Sequence, residues 1–113
     1  MRYWAIPAAI LFAAAVHATE LDTSACVFPD TPEVPDGETA SEADMASGSA
    51  AVRAYVGDTQ AGLDCLSAAE EAMGEEITDE QRAQIVETYN TGVDEMTAVV
   101  ERFNEQIRIY KAR

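Results

Sequence analysis

The pattern that most constrains this chain lies in its last third. Between Thr78 and Tyr110 the apolar residues fall at Val86, Tyr89, Val93, Met96, Val100, Phe103, Ile107 and Tyr110, in alternating steps of three and four. That is a heptad seam, and a helix carrying it must bury a narrow stripe against another helix. The chain must therefore contain a second helix, recruit one, or do both.

The preceding stretch supplies a candidate. Thr39-Ala40-Ser41-Glu42 fits a capping box, with Thr39 accepting from the amide of residue 42 and Glu42 reaching back. An apolar register then runs through Met45, Val52, Tyr55 or Val56, Leu63, Leu66 and Met73. Gly48, Gly57 and Gly62 interrupt it, each at a cost of ~1 kcal/mol against Ala. One long helix with a soft middle is expected; the alternative is a break near Val56-Gly57-Asp58. Gly74 suits a C-cap, and Ile77-Thr78-Asp79-Glu80-Gln81 opens the second helix with another capping box. So short a link makes the two helices antiparallel neighbours. Asp79 and Glu80 then sit at the positive end of the second helix dipole, and Arg108, Lys111 and Arg113 at its negative end. The hairpin brings that basic end beside Glu38, Glu42 and Asp44.

Residues 19–38 are a different material. Pro29, Pro32 and Pro35 recur every third position, which favours an extended polyproline course. Pro35-Asp36-Gly37 reads as a turn: fixed φ, side-chain capping, then a permissive Gly. Cys26 and Cys65 are the two cysteines of the chain, so a disulfide has one possible pairing. The lengths agree with it. A helix covers ~37 Å from residue 65 back to residue 40 at 1.5 Å per residue, and residues 26 to 39 span ~40 Å in polyproline geometry. The strip is therefore expected to turn at Asp36-Gly37 and lie antiparallel along the hairpin, with Val27, Phe28 and Val34 facing inward. A bond closing such a loop is worth ~3–4 kcal/mol in the chain-entropy picture.

The N-terminal residues read as a secretory signal. Met1-Arg2 is a positive start, Ile6 to Val16 an apolar run, and Val16-His17-Ala18 a cleavage site, giving a signal peptide at 1–18. A retained anchor is the competing reading, against which the run is short of the ~20 apolar residues a span needs. Ser24-Ala25-Cys26 also has the look of a lipobox tail, though Thr23 stands where a Leu is wanted. Export through a cleaved signal implies the periplasm, where a disulfide is stable.

Function classes narrow quickly. A formal charge of −14 repels nucleic acid and anionic membrane. Cleavage removes His17, the one histidine, and the disulfide consumes both thiols, so no nucleophilic or acid–base constellation remains and no enzyme activity is expected. No cofactor motif is present. The carboxylates Glu70, Glu71, Glu75, Glu76, Asp79 and Glu80 surround the hairpin turn, but they lack the spacing of a calcium loop and read as a solvated face, so no metal site is assigned. One internal echo stands out. Tyr89-Asn90 and Phe103-Asn104 are two heptads apart, so both asparagines project from one side of the seam. They are either amide hooks for an extended backbone (the strip or a partner) or plain polar flanks of the helix.

Two resemblances bear on this. Cys26-x-Phe28-Pro29, then Pro32-x-x-Pro35-Asp36-Gly37, followed by the later cysteine and the Tyr/Phe-Asn helix, resembles a group of small exported proteobacterial proteins of unknown function. That resemblance implies export and no particular activity. Ile77-Thr78-Asp79-Glu80-Gln81-Arg82 resembles the L-T-x-x-Q element of Spy-type periplasmic chaperones and metal-stress sensors, with Ile in place of Leu, a single copy, and a proline strip that family lacks.

The expected protein is all-α: a coiled-coil-like antiparallel hairpin at 39–113, with an extended Pro-rich strip at 19–38 pinned by Cys26–Cys65. The expected role is that of a non-enzymatic interaction or structural module, with Tyr89, Asn90, Phe103 and Asn104 as candidate contact residues. The alternative is a periplasmic chaperone-like or stress- and metal-responsive protein. A protein partner or self-association is expected, according to whether the strip leaves the seam open or covers it.

Overall fold

The computed structural model describes residues 20–113; the expected signal peptide at 1–18 lies outside them. Two helices, α1 (Glu42–Met73) and α2 (Asp79–Ala112), pack against each other as an antiparallel hairpin, joined through one short 3-10 turn at Gly74–Glu76. Among the described residues there is no strand. α1 is unbroken through Gly57, because its inward stripe of Met45, Val52, Tyr55, Leu63, Leu66 and Met73 is buried along its whole length. Burial of that stripe outweighs the glycine propensity cost.

The cap of α2 is the expected one. Thr78 Oγ1 accepts from the Gln81 amide at 3.1 Å, and Gln81 Oε1 accepts from the Thr78 amide at 3.0 Å. Gly74 ends α1 with φ +54°, its amide donating to the Glu71 carbonyl. The start of α1 differs from expectation. Its N-cap is Ser41, not Thr39, and the capping box is closed by Asp44, not Glu42. The reason is that the turn before it consumes the chain as far as Ala40. The amides of Thr39 and Ala40 both donate to the Asp36 carbonyl, at 3.2 and 2.8 Å. Arg113 meanwhile donates to the carbonyls of Glu38 and Ala40, at 2.9 and 2.7 Å. The basic end of α2 thus holds this corner through backbone oxygens rather than through the carboxylates of Glu38, Glu42 and Asp44.

Toward the open end of the hairpin the core is a cluster in which Val52, Tyr55, Val99 and Phe103 are buried, with Val34, Met96, Val100, Ile107 and Tyr110 packed around them; Leu63, Leu66, Met73 and Ile85 are buried nearer the turn. Its α2 side departs from the seam drawn from the heptads. The buried positions are Ile85, Gly92, Val99 and Phe103, while Val86 and Tyr89 are 49% and 38% exposed. At 100° per residue the buried stripe is rotated about 50° from the expected one. The rotation turns α2 toward the proline strip, which takes a share of its surface that a two-helix coiled coil would leave to solvent.

Among the described residues one buried side-chain polar atom is unpaired. Thr59 is 1% exposed and its Oγ1 has no hydrogen-bond partner. Leaving a buried hydroxyl unsatisfied costs ~1–3 kcal/mol. Thr59→Val keeps the shape and removes the hydroxyl, so its denaturation midpoint should rise, by about 1 kcal/mol in stability. A variant less stable than the parent would show that the hydroxyl is in fact satisfied.

Candidate functional site

The hairpin has two broad sides, and the strip takes one of them. Its far end is set by local turns: the Ser24 amide and hydroxyl donate to Asp22 Oδ1 at 3.0 and 2.6 Å, and the Cys26 amide donates to the Thr23 carbonyl at 2.9 Å. The two bonds from Ser24 hold the Asp22 carboxyl below its ordinary pKa. Cys26 is bonded to Cys65, with the two Cα atoms 5.3 Å apart. Both cysteines are thereby accounted for, and no free thiol remains among the described residues. Such a bond points to an oxidising, non-cytoplasmic compartment.

From there the strip runs in the groove between α1 and α2, on small residues. A methyl group built on Gly62 would lie 2.9 Å from the Phe28 ring, and one on Gly92 would lie 3.0 Å from it. One on Gly48 would lie 2.7 Å from Pro35. Gly48 and Gly62, which look in sequence like soft points of a helix, are the places where the strip's rings seat against the helix backbone. Phe28 and Val34 turn inward as expected, but Val27 does not: it is 73% exposed, because an extended chain that seats Phe28 must point its neighbour away.

The near end closes on Gly37. The Asp36 side chain caps the turn by accepting from the Glu38 amide at 2.9 Å, and the Gly37 amide donates to Gln106 Oε1 at 2.8 Å. Gly37 does not have a positive φ; the turn needs glycine for proximity, since a methyl group there would lie 2.1 Å from the Gln106 carbonyl oxygen. Gln106 is the side-chain amide that grips the strip, and sequence reasoning missed it. Its place two residues after the Asn104 of the echo offered no signal, because a polar residue beside a heptad seam looks like a solvated flank.

Asn90 and Asn104 make no hydrogen bond to the strip among the described residues, so the hook reading fails for the strip. They belong to the other side. The α2 residues beside the strip are Gln84, Thr88, Arg102, Gln106 and Ile109. About 180° round the helix, at 100° per residue, lie Val86, Tyr89, Asn90, Met96, Thr97 and Val100. These line two separate hollows of about 240 and 200 Å³, which α1 completes with Ser67 and Glu70 at the first and Val56 at the second. Asn104 shares this side by helical spacing. Phe103 does not: at 7% exposure it is core, packed beside Gly48. Tyr89 and Asn90 are exposed and adjacent at the mouth of the first hollow.

The acidic turn offers no coordination geometry. Among the described residues no three His, Cys, Asp or Glu side chains converge as metal ligands. Glu70 faces Arg82 across the hairpin at 3.6 Å, a half-exposed pair of small energetic weight. No helix among the described residues is long and apolar enough to cross a membrane. No protein-family model, curated protein or solved structure matches the chain. The fold and the two sides therefore define the class by themselves: a helical hairpin strapped on one side by a disulfide-pinned strip and left open on the other.

Proposed function

We propose that this protein is an exported, non-enzymatic interaction module of the periplasm, and that it works through its open side. The observation that carries the reading is the apolar stripe Val86, Tyr89, Val93, Met96 and Val100, exposed at Val86 and Tyr89 and partly buried at the other three, on a hairpin whose opposite side is already occupied. A stripe of this kind on a small helical scaffold marks a contact surface. The aromatic-plus-amide pair Tyr89-Asn90 suits one, giving apolar area with a polar tip. Export rests on the signal-like residues 1–18 and on the resemblance to small exported proteobacterial proteins, and the disulfide is in keeping with it. The absence of histidine from residues 19–113 and of a free thiol among the described residues supports a non-catalytic role.

A photoreactive phenylalanine analogue in place of Tyr89, irradiated in an exporting host, should give one discrete cross-linked product. The same analogue in place of the outward Ala50 should give none. A ladder of products from position 89 is instead the result expected of a client-binding chaperone. No product at all would reject the open side as a contact surface.

A further inference from the structure

We infer that the occupant of the open side is a second copy of this chain, docked antiparallel about a two-fold axis near Thr97. The inference rests on the contact-surface reading above and adds the partner and its orientation.

The charge layout selects the orientation. Among the described residues five of the six cations, Arg53, Arg102, Arg108, Lys111 and Arg113, lie toward the open end of the hairpin, where they offset most of the charge of Glu33, Asp36, Glu38, Glu42, Asp44, Glu101 and Glu105. The turn end carries Glu70, Glu71, Glu75, Glu76, Asp79, Glu80 and Glu87 against Arg82 alone. Two copies side by side in parallel would set acidic turn on acidic turn. Antiparallel docking sets each acidic turn beside the other copy's less acidic, cation-bearing end, with Arg108 and Lys111 within its reach, and so avoids the repulsion of turn on turn.

The residue pattern fixes the register. An isologous interface repeats each contact twice about its axis. With the axis at Thr97, Asn90 of one copy stands opposite Asn104 of the other, and Glu87 approaches Arg108. The fourteen-residue echo then has a physical purpose: two side-chain amides, each able to donate and accept, meet across the axis at both ends of an apolar stripe. The stripe itself, Val86 to Ile107, is about 32 Å long, and a two-helix face is about 20 Å wide. That projects to about 600 Å² per copy, near the ~800 Å² that a standard stable interface takes from each partner. The product is a four-helix bundle with a strip on each outer side.

The test is sedimentation equilibrium of the oxidised chain over about a hundredfold range of micromolar concentrations. A dimer is expected. Val86→Glu with Tyr89→Ser, both at exposed positions, should weaken it at least tenfold while the helical circular dichroism is unchanged. The charge reversals Arg108→Glu/Lys111→Glu and Glu70→Lys/Glu87→Lys should each weaken self-association, and a one-to-one mixture of the two should restore it. In the wild-type dimer, cross-links from position 89 should map to residues 100–107 of the other copy. A wild-type chain that stays monomeric at the top of the range, or a dimer indifferent to Val86 and Tyr89, overturns the inference. So does a mixture that fails to re-associate. Failure here is separable from failure of the contact-surface reading: a monomer whose position 89 still gives one product, of a mass other than two chains, keeps that reading and removes the second copy.

Discussion

Replacing Cys26 and Cys65 together by Ser should lower the stability of the protein by about 4 kcal/mol. The bond closes a loop with a sequence separation of 39 residues, and the chain-entropy relation gives about 4 kcal/mol for a loop of that size. For a domain this small that is a large fraction of the ~5–15 kcal/mol that separates folded from unfolded chains. The expected fall in melting temperature is on the order of 15–30 °C. The effect has a location as well as a size. Without the bond, Phe28 keeps only its seat on Gly62 and Gly92, and the strip between residues 20 and 34 has no backbone hydrogen bond to either helix. Limited proteolysis of the double variant should therefore cut within the strip first and spare α1 and α2. A loss under about 1 kcal/mol, or cleavage that begins in the helices, would show that packing and not the covalent bond holds the strip in place.

Gly37→Ala should be the most damaging single methyl group in the chain. Its Cβ would stand 2.1 Å from the Gln106 carbonyl oxygen and 3.0 Å from the Tyr110 amide nitrogen, all backbone of α2 that cannot step aside. The turn would have to lift, giving up the Gly37 to Gln106 hydrogen bond and the two carbonyl contacts of Arg113. Overpacking of this kind costs ~1–3 kcal/mol, and a lost hydrogen bond about 1 kcal/mol more. Urea unfolding should therefore register a loss of about 2–4 kcal/mol. Gly57→Ala is the matched comparison. Nothing lies within 4 Å of that position, which is exposed in mid-helix, so the helix propensity gain of ~1 kcal/mol should appear undiluted as added stability. Two Gly→Ala changes in one small protein should thus move its midpoint in opposite directions. If Gly37→Ala is as stable as the parent, the strip is not seated on α2 as described.

Much of this architecture was legible because it rests on local chemistry. Thr78 and Gln81 announce the start of α2, Gly74 the end of α1, and a link of a few residues between two long helices leaves antiparallel packing as the available outcome. The disulfide followed from there being two cysteines and from the agreement between a helix length and a polyproline length. What could not be read was anything decided by a third element lying across the other two. The stripe of α2 sits about 50° from its heptad seam because the strip draws it round; a pattern in one helix carries no information about how many neighbours that helix has. The α1 start moved from Thr39 to Ser41 because Asp36 and Arg113, remote from any cap rule, took the backbone groups of residues 38–40.

The glycines show the division most plainly. In sequence Gly48, Gly57 and Gly62 are equivalent, each a weak point in a helical register. In the folded chain Gly48 and Gly62 lie under Pro35 and Phe28, while Gly57 faces open space. The candidate site divides in the same way. The Tyr89-Asn90 and Phe103-Asn104 echo was visible from spacing, but only the packed hairpin separates Phe103, which is core, from Tyr89 and Asn90, which are exposed beside a hollow. Periodicity, caps and cysteine count are properties of the chain taken a few residues at a time, and those determined the helices, their order and the covalent bond. Which side of the hairpin is covered and which is left open depends on where a strip with no regular secondary structure comes to rest. That was decided by steric fit between rings and glycines far apart in sequence.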